Sequence, residues 1–220
     1  MSSFLRHSSD LMEELISSER DYQFVENHMR EMMNTNPWNP ELTGFKIGKI
    51  YRINHPENWK KYVERKKEIA AEVVDENETF VKELRLYHGS PYVEKIVAEG
   101  FRIDESKNGH FGKGIYFAED SSKSNYYTLG GSGHPCPVHK THTCGECERK
   151  MLLCIVALGK QYVVDKFGSK QADCVTKRNS GYHTLRGAKG QSIDNTEHII
   201  YDQRQAYPQF LIVYKATYSS

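Results

Sequence analysis

Leu86-Tyr87-His88-Gly89-Ser90-Pro91 marks the point where an apolar, strand-like run breaks into a turn and a new helix begins. Ser90 is a good N-cap residue, Pro91 fits the first helical position, and Gly100 stands where a C-terminal stop is expected. His88 and the Gly89 backbone therefore fall at a strand-to-helix junction, where free N–H groups can meet a polar ligand. The junction predicts a site without naming its occupant.

Outside this stretch, composition narrows the class. The 220 residues suffice for one substantial domain. Thirty Lys and Arg nearly cancel 29 Asp and Glu, so sequence-independent binding to nucleic-acid phosphates is not favoured. The chain has no 18-residue apolar run and no charged-then-apolar leader, which argues against a membrane or secreted protein. Five cysteines, two of them in a Cys-x-x-Cys pair, point to metal rather than disulfides and to a reducing, intracellular setting, cytoplasmic and/or nuclear.

Toward the N-terminus, Asp10 and Glu13 have capping-box-like spacing. Leu11, Leu15, Tyr22, Val25 and Met29 repeat at helical spacing, which predicts a helix running to about Met33. Trp38 to Gly44 reads as a loop and Phe45 to Asn54 as a strand. Pro56 opens a second helix with Trp59, Tyr62, Val63 and Ile69 on one side. Its Lys60, Lys61, Arg65, Lys66 and Lys67 could meet a polyanion, but Glu57, Glu64 and Glu68 balance them and a solvated face is the simpler reading. Phe80 to Tyr87 then leads into the opening stretch.

Downstream, Asp104 to Gly114 lacks the ending of a P-loop and the glycine spacing of a Rossmann turn, so it reads as a loop. Ile115 to Ala118 is a short buried strand, and Asp120 caps a short helix through Tyr127. Met151 to Gly159, Glu197 to Tyr201 and Phe210 to Tyr218 are strands, with Gln161 to Thr196 loop-like between the first two. Helices early and strands late predict an α+β architecture with an antiparallel sheet core. Residues 1–44 read as an N-terminal helix and loop packed on a core of residues 45–220.

Cys136-x2-His139-x4-Cys144-x2-Cys147 supplies three thiolates and one imidazole in a single loop. A complete Cys3His set leaves no open position and predicts structural zinc, carried by an insertion at 134–150. His134 and His142 flank the pattern but break its two x2 pairs. Cys154 reads as a core residue, and Cys174 has no evident partner.

Five further polar residues stand on strands or at their ends: His88, Tyr116, Ser124, Tyr127 and Glu197. Taken singly, each has a bland reading as a turn residue, a core tyrosine or a solvated glutamate.

Together with their neighbours they carry a resemblance. Leu86 to Pro91, Phe111-Gly112-Lys113-Gly114-Ile115-Tyr116-Phe117-Ala118-Glu119, Ser121-Ser122-Lys123-Ser124-Asn125 and Glu197-His198-Ile199-Ile200-Tyr201 resemble the successive motifs of a poly(ADP-ribose) polymerase catalytic domain. The Cys136–Cys147 knuckle, Trp59-Lys60-Lys61-Tyr62, Arg65-Lys66-Lys67-Glu68 and Gln205-Ala206-Tyr207-Pro208 are similar to tankyrases within that family. The resemblance implies the ADP-ribosyltransferase fold, with an antiparallel sheet, N-terminal helices and a short zinc-binding hairpin.

It also implies a transferase that consumes NAD as substrate, with a catalytic triad mapping onto His88, Tyr116 and Glu197. The NAD-holding set it implies is His88, Gly89, Ser90, Tyr116, Ser124, Tyr127 and Glu197. His88 would hold the adenosine ribose, the Gly89 backbone and Ser124 hydroxyl the carboxamide, and Tyr127 or the adjacent Tyr126 would stack on the nicotinamide. Retention of Glu197 implies polymer or oligomer synthesis on protein acceptors, the enzyme itself included. The loop Asp104–His110 departs from the tankyrase pattern, and His110 or Phe111 would have to serve as its aromatic gate. Leu11–Met33 is too short to be the autoinhibitory helical domain of DNA-break-sensing relatives, so no DNA dependence is expected.

Overall fold

The apolar runs pair into one large sheet in the computed structural model, which describes residues 10–34, 37–73, 81–129, 135–168, 171–176 and 181–219. In chain order the strands are β1 (Met12–Glu14), β2 (Leu42–Ile53), β3 (Glu83–Gly89), β4 (Asn108–Gly109), β5 (Gly112–Lys113), β6 (Ile115–Ala118), β7 (Arg149–Ala157), β8 (Gln161–Val164), β9 (Thr184–Gly187), β10 (Glu197–Ile200) and β11 (Ala206–Tyr218). The helices are α1 (Arg20–Glu31), α2 (Pro56–Glu72), α3 (Val93–Glu99), α4 (Ser121–Asn125) and α5 (Asp173–Thr176). Among the described residues nine strands join in the order β1-β2-β11-β7-β3-β6-β10-β9-β8, with β4 and β5 forming a separate two-stranded hairpin. Every pairing in the large sheet is antiparallel except β8 with β9. The architecture is α+β, as expected.

The unbroken apolar run of β7 follows from its central place, since a strand covered on both faces has no solvent side to alternate with. Leu152, Cys154 and Val156 face one cluster with Val93, Val97 and Phe101, the layer brought by α3. Met151 and Leu153 face the other, with Val25 and Met29 of α1. The sheet has a seam: β3 and β6 meet through the single rung Tyr87↔Ala118.

Several sequence expectations yield to long-range pairing. The helix expected from Leu11 to Met33 begins only at Arg20, because Met12, Glu13 and Glu14 pair with Ile53, Arg52 and Tyr51 of β2. A strand so short shows no periodicity of its own, and Leu11 and Leu15 imitate a helical repeat. β2 starts at Leu42 inside the expected loop, extended by the length of β11, whose Tyr218 pairs with Leu42. Gln161–Thr196 is not simply loop: it contributes β8, α5 and β9. Among the described residues strands thus occur from Met12 to Tyr218 rather than gathering late. Phe80 lies outside the described residues.

Ser90 and Pro91 stand ahead of α3, whose N-cap is Tyr92. The Ser90 hydroxyl oxygen accepts the Tyr92 N–H at 3.1 Å, so it closes a turn instead of capping the helix. Gly100 does end α3, in the left-handed region at φ 84°. Asp120 precedes α4 but makes no side-chain cap bond. Its carboxylate is taken by the side-chain amides of Asn34 and Asn195, the latter at 2.9 Å.

Candidate active site and metal centre

The seam between β3 and β6 brings together residues from four distant segments. His88 and Gly89 end β3, Tyr116 lies on β6, Lys123 and Ser124 belong to α4, and Glu197 opens β10. Of the expected site residues, Ser90 points its hydroxyl back into its own turn.

Gly89 is packed against the α4 backbone: a Cβ there would lie 1.9 Å from the Ser124 carbonyl oxygen. This contact is possible only for glycine, and it sets the Gly89 main chain beside Ser124. α4 is in turn fixed from behind by the end of α1. The Ser121 hydroxyl donates to the Met29 carbonyl at 2.8 Å, the Ser121 N–H to that of Met32 at 2.9 Å, and the Ser122 hydroxyl to that of Asn34 at 2.6 Å. A short serine-rich helix with little intrinsic stability is thus held by tertiary bonds.

His88 Nδ1 lies 2.9 Å from the Tyr116 carbonyl, which can only accept, so Nδ1 carries the proton. Burial holds the imidazole pKa below its ordinary value despite that bond. The ring, packed edge-on to Phe101, therefore stays neutral and keeps an Nε2 lone pair for a hydroxyl donor such as a ribose. The Tyr116 hydroxyl donates to the Gly112 carbonyl at 2.7 Å and accepts the Phe111 N–H at 3.0 Å. Burial pushes its pKa up to about 12. With both bonds made within the β4–β5 hairpin, Tyr116 offers its ring rather than its hydroxyl.

Glu197 faces Lys123, with Oε1 3.3 Å from Nζ and both side chains nearly buried. Burial works against the Lys123 ammonium, but Glu197 and Tyr127 outweigh it and raise its pKa. Lys123 Nζ also sits 5.7 Å from the Tyr127 ring centroid. Of the two tyrosine candidates, Tyr127 is the one that lies against this charged pair. Tyr126 instead lines a small recess with Trp38, Asn39, Leu129 and Arg149.

Lys123 is the residue that sequence reasoning missed. It stood inside a quoted motif, but nothing local marks a lysine in a serine helix as the partner of a carboxylate on a remote strand. In the divergent loop, Phe111 is wholly buried and cannot gate anything. His110 stacks on Phe167 at 4.2 Å, and that pair is the aromatic surface the hairpin presents. On α2, Arg65 pairs with Glu68 and Glu72 of the same helix but also with Asp202, and Lys66 pairs with Glu83 of β3, so the face is balanced partly by other elements rather than by its own glutamates alone.

The four expected metal ligands converge. Cys136, His139, Cys144 and Cys147 place one ligand atom each within 4.8 Å of one another. His139 Nδ1 lies 3.9, 3.3 and 3.4 Å from the sulfurs of Cys136, Cys144 and Cys147, and the Cys136 and Cys147 sulfurs are 3.5 Å apart. Tetrahedral zinc with Zn–S about 2.3 Å and Zn–N about 2.1 Å requires S···S near 3.8 Å and S···N near 3.6 Å. The donor set fits that ion. His139 Nε2 faces Glu146 at 3.3 Å, which leaves Nδ1 for the metal. His134 lies outside the described residues. Buried Arg149 joins this knuckle to α4: its guanidinium donates to the Cys144 carbonyl at 3.0 Å and, at 3.4 Å, to the Asn125 carbonyl and the Thr128 hydroxyl.

Fold and seam together define a catalytic-domain class that comparison identifies. The family model of the poly(ADP-ribose) polymerase catalytic domain matches residues 19–216, and the chain belongs to that family. The chain is also 29% identical over 175 residues to a probable poly(ADP-ribose) polymerase of Dictyostelium discoideum. That alignment covers 78% of this chain and 45% of the relative, so the chain spans less than half of the relative's length. Among the described residues no helix is long and apolar enough to cross a membrane.

Proposed function

We propose that this chain consumes NAD to build ADP-ribose oligomers or polymers on protein acceptors, itself included, in the manner of the tankyrase branch. The observation that carries this reading is the nearly buried Glu197–Lys123 pair, with the Tyr127 ring against its ammonium and Tyr116 close enough to feel the Glu197 charge. Cleavage of the bond from ribose to nicotinamide develops oxocarbenium character, which a preorganised carboxylate stabilises electrostatically. Glu197 does so from one side while its hydrogen bond to a ribose 2′-hydroxyl holds the sugar. In elongation the same carboxylate polarises the incoming hydroxyl, whose oxygen forms the new bond to the anomeric carbon as nicotinamide leaves. Lys123, 3.3 Å away, holds the Glu197 carboxylate in its orientation.

The other residues position the leaving group. The Gly89 backbone and Ser124 hydroxyl clamp the carboxamide at two points, the Tyr127 ring stacks on the pyridine, and Tyr116 closes the opposite side. Holding the substrate in one orientation removes entropy from the barrier. His88 Nε2 accepts from the adenosine ribose. The knuckle formed by Cys136, His139, Cys144 and Cys147 holds structural zinc, which organises a hairpin too short for its own core.

Labelled NAD incubated with zinc-loaded protein and resolved by gel tests the reading. Wild type releases nicotinamide and forms a self-modified ladder, whereas Glu197→Gln binds NAD and makes no ladder. A Glu197→Gln protein that still elongates would overturn the role of the carboxylate. Single-unit modification by wild type would favour mono-ADP-ribosyl transfer, and NAD binding without nicotinamide release a passive NAD- or ADP-ribose-binding module.

A further inference from the structure

Glu197 stands on the last rung of β10, pairing with Ala118 on one side and Gly187 on the other. Beyond it the ladder thins to a long 3.4 Å bond from the Glu119 N–H to the Thr196 carbonyl. The end of a strand is where backbone pairing restrains a side chain least. Something else must hold the carboxylate against Lys123.

The next residue supplies it. Successive residues on a strand face opposite sides, so His198 lies on the face away from the Glu197 carboxylate. Its ring is 1% exposed. Nε2 is 2.8 Å from Glu119 Oε1, just past the end of β6, and Nδ1 is 3.0 Å from Gln161 Nε2 at the start of β8. The amide nitrogen can only donate, so Nδ1 accepts and Nε2 carries the proton donated to Glu119. Arg186, opposite His198 on β9, adds a weaker contact to the same carboxylate at 3.9 Å. One imidazole thus ties β10 to β6 on one side and to the edge strand β8 beyond β9.

We propose that His198, braced between Glu119 and Gln161, is a positioning residue that sets the orientation of the Glu197 carboxylate. This rests on the transferase reading above. The brace leaves the nicotinamide clamp of Gly89 and Ser124 untouched, so its loss acts on turnover and spares binding. A displacement on the order of 1 Å at a catalytic group costs roughly 100-fold in rate.

The test compares His198→Phe, Glu119→Ala and Glu119→Gln in the full chain. His198→Phe and Glu119→Ala should lower kcat by about 10- to 100-fold with KM for NAD within about 3-fold. Glu119→Gln, which keeps an acceptor oxygen for Nε2, should recover most of the turnover lost in Glu119→Ala. The Glu197 carboxyl carbon, labelled with carbon-13 and assigned through Glu197→Gln, should shift or broaden in the first two variants. That resonance reads the brace even if wild type proves inactive, which would overturn the transferase reading alone. Unchanged kcat and an unchanged resonance would overturn the proposal. So would a rise in KM matching the fall in kcat with a lower melting temperature in both variants, the mark of general destabilisation.

Discussion

Replacing Gly89 by alanine adds one methyl group where the structure has no room for it. The new Cβ would lie 1.9 Å from the Ser124 carbonyl oxygen, 2.8 Å from its carbonyl carbon and 3.3 Å from its Cα. An unstrained carbon contact needs about 3.5 Å, so the two backbones must separate by about 1.5 Å. Neither yields easily. β3 pairs with β7 from Glu83 to Gly89, and α4 is bonded to the carbonyls of Met29, Met32 and Asn34. Overpacking of this kind costs about 1–3 kcal/mol in stability. The same displacement opens the gap between the Gly89 main chain and the Ser124 hydroxyl, and misplacement on this scale costs about 100-fold in rate. Steady-state nicotinamide release, with NAD titrated, should show a fall in kcat/KM of that order with KM raised. A nicotinamide analogue should lose its thermal stabilisation of the protein. An alanine variant with wild-type kcat/KM and full analogue binding would refute the view that Gly89 and Ser124 form a two-point clamp.

Two other outcomes follow from particular groups. Cys144→Ser combined with Cys147→Ser should release the metal and raise hydrogen exchange across residues 135–150. Through Arg149 the loosening should reach Asn125 and Thr128, while the Glu197 strand stays protected; one zinc retained per chain would refute the ligand set. Acid should destabilise the fold before carboxylates titrate, because burial lowers the pKa of both His88 and His28. Unfolded histidines protonate below about pH 6.5 while the folded ones resist, so the unfolded state binds more protons. Stability therefore falls as pH is lowered below the unfolded histidine pKa, at up to about 1.4 kcal/mol per unit for each group. Melting temperatures from pH 7.5 to 5 check this, and a flat profile would exclude it.

What could be read from the chain was what local chemistry determines. Cys136, His139, Cys144 and Cys147 lie close in sequence, and their donor types specify a tetrahedral ion whatever surrounds them. The strands around His88, Tyr116, Glu197 and Phe210 were legible because branched and aromatic residues in the centre of a sheet leave little alternative. Gly100 ended its helix where glycine should.

Misreadings arose where remote partners overrule local pattern. Met12 to Glu14 join β2, Leu42 is drawn into pairing by Tyr218, and the Asp120 carboxylate leaves its cap for Asn34 and Asn195. The proposed active groups belong to the same category. No spacing rule connects Lys123 to Glu197, separates Tyr127 from Tyr126, or shows that Gly89 must lack a side chain because Ser124 lies against it. A strand fixes which face a residue occupies. Only closure of the sheet around the β3–β6 seam fixes its neighbours, because hydrogen bonds and charge pairs act over a few ångströms of space, not of chain.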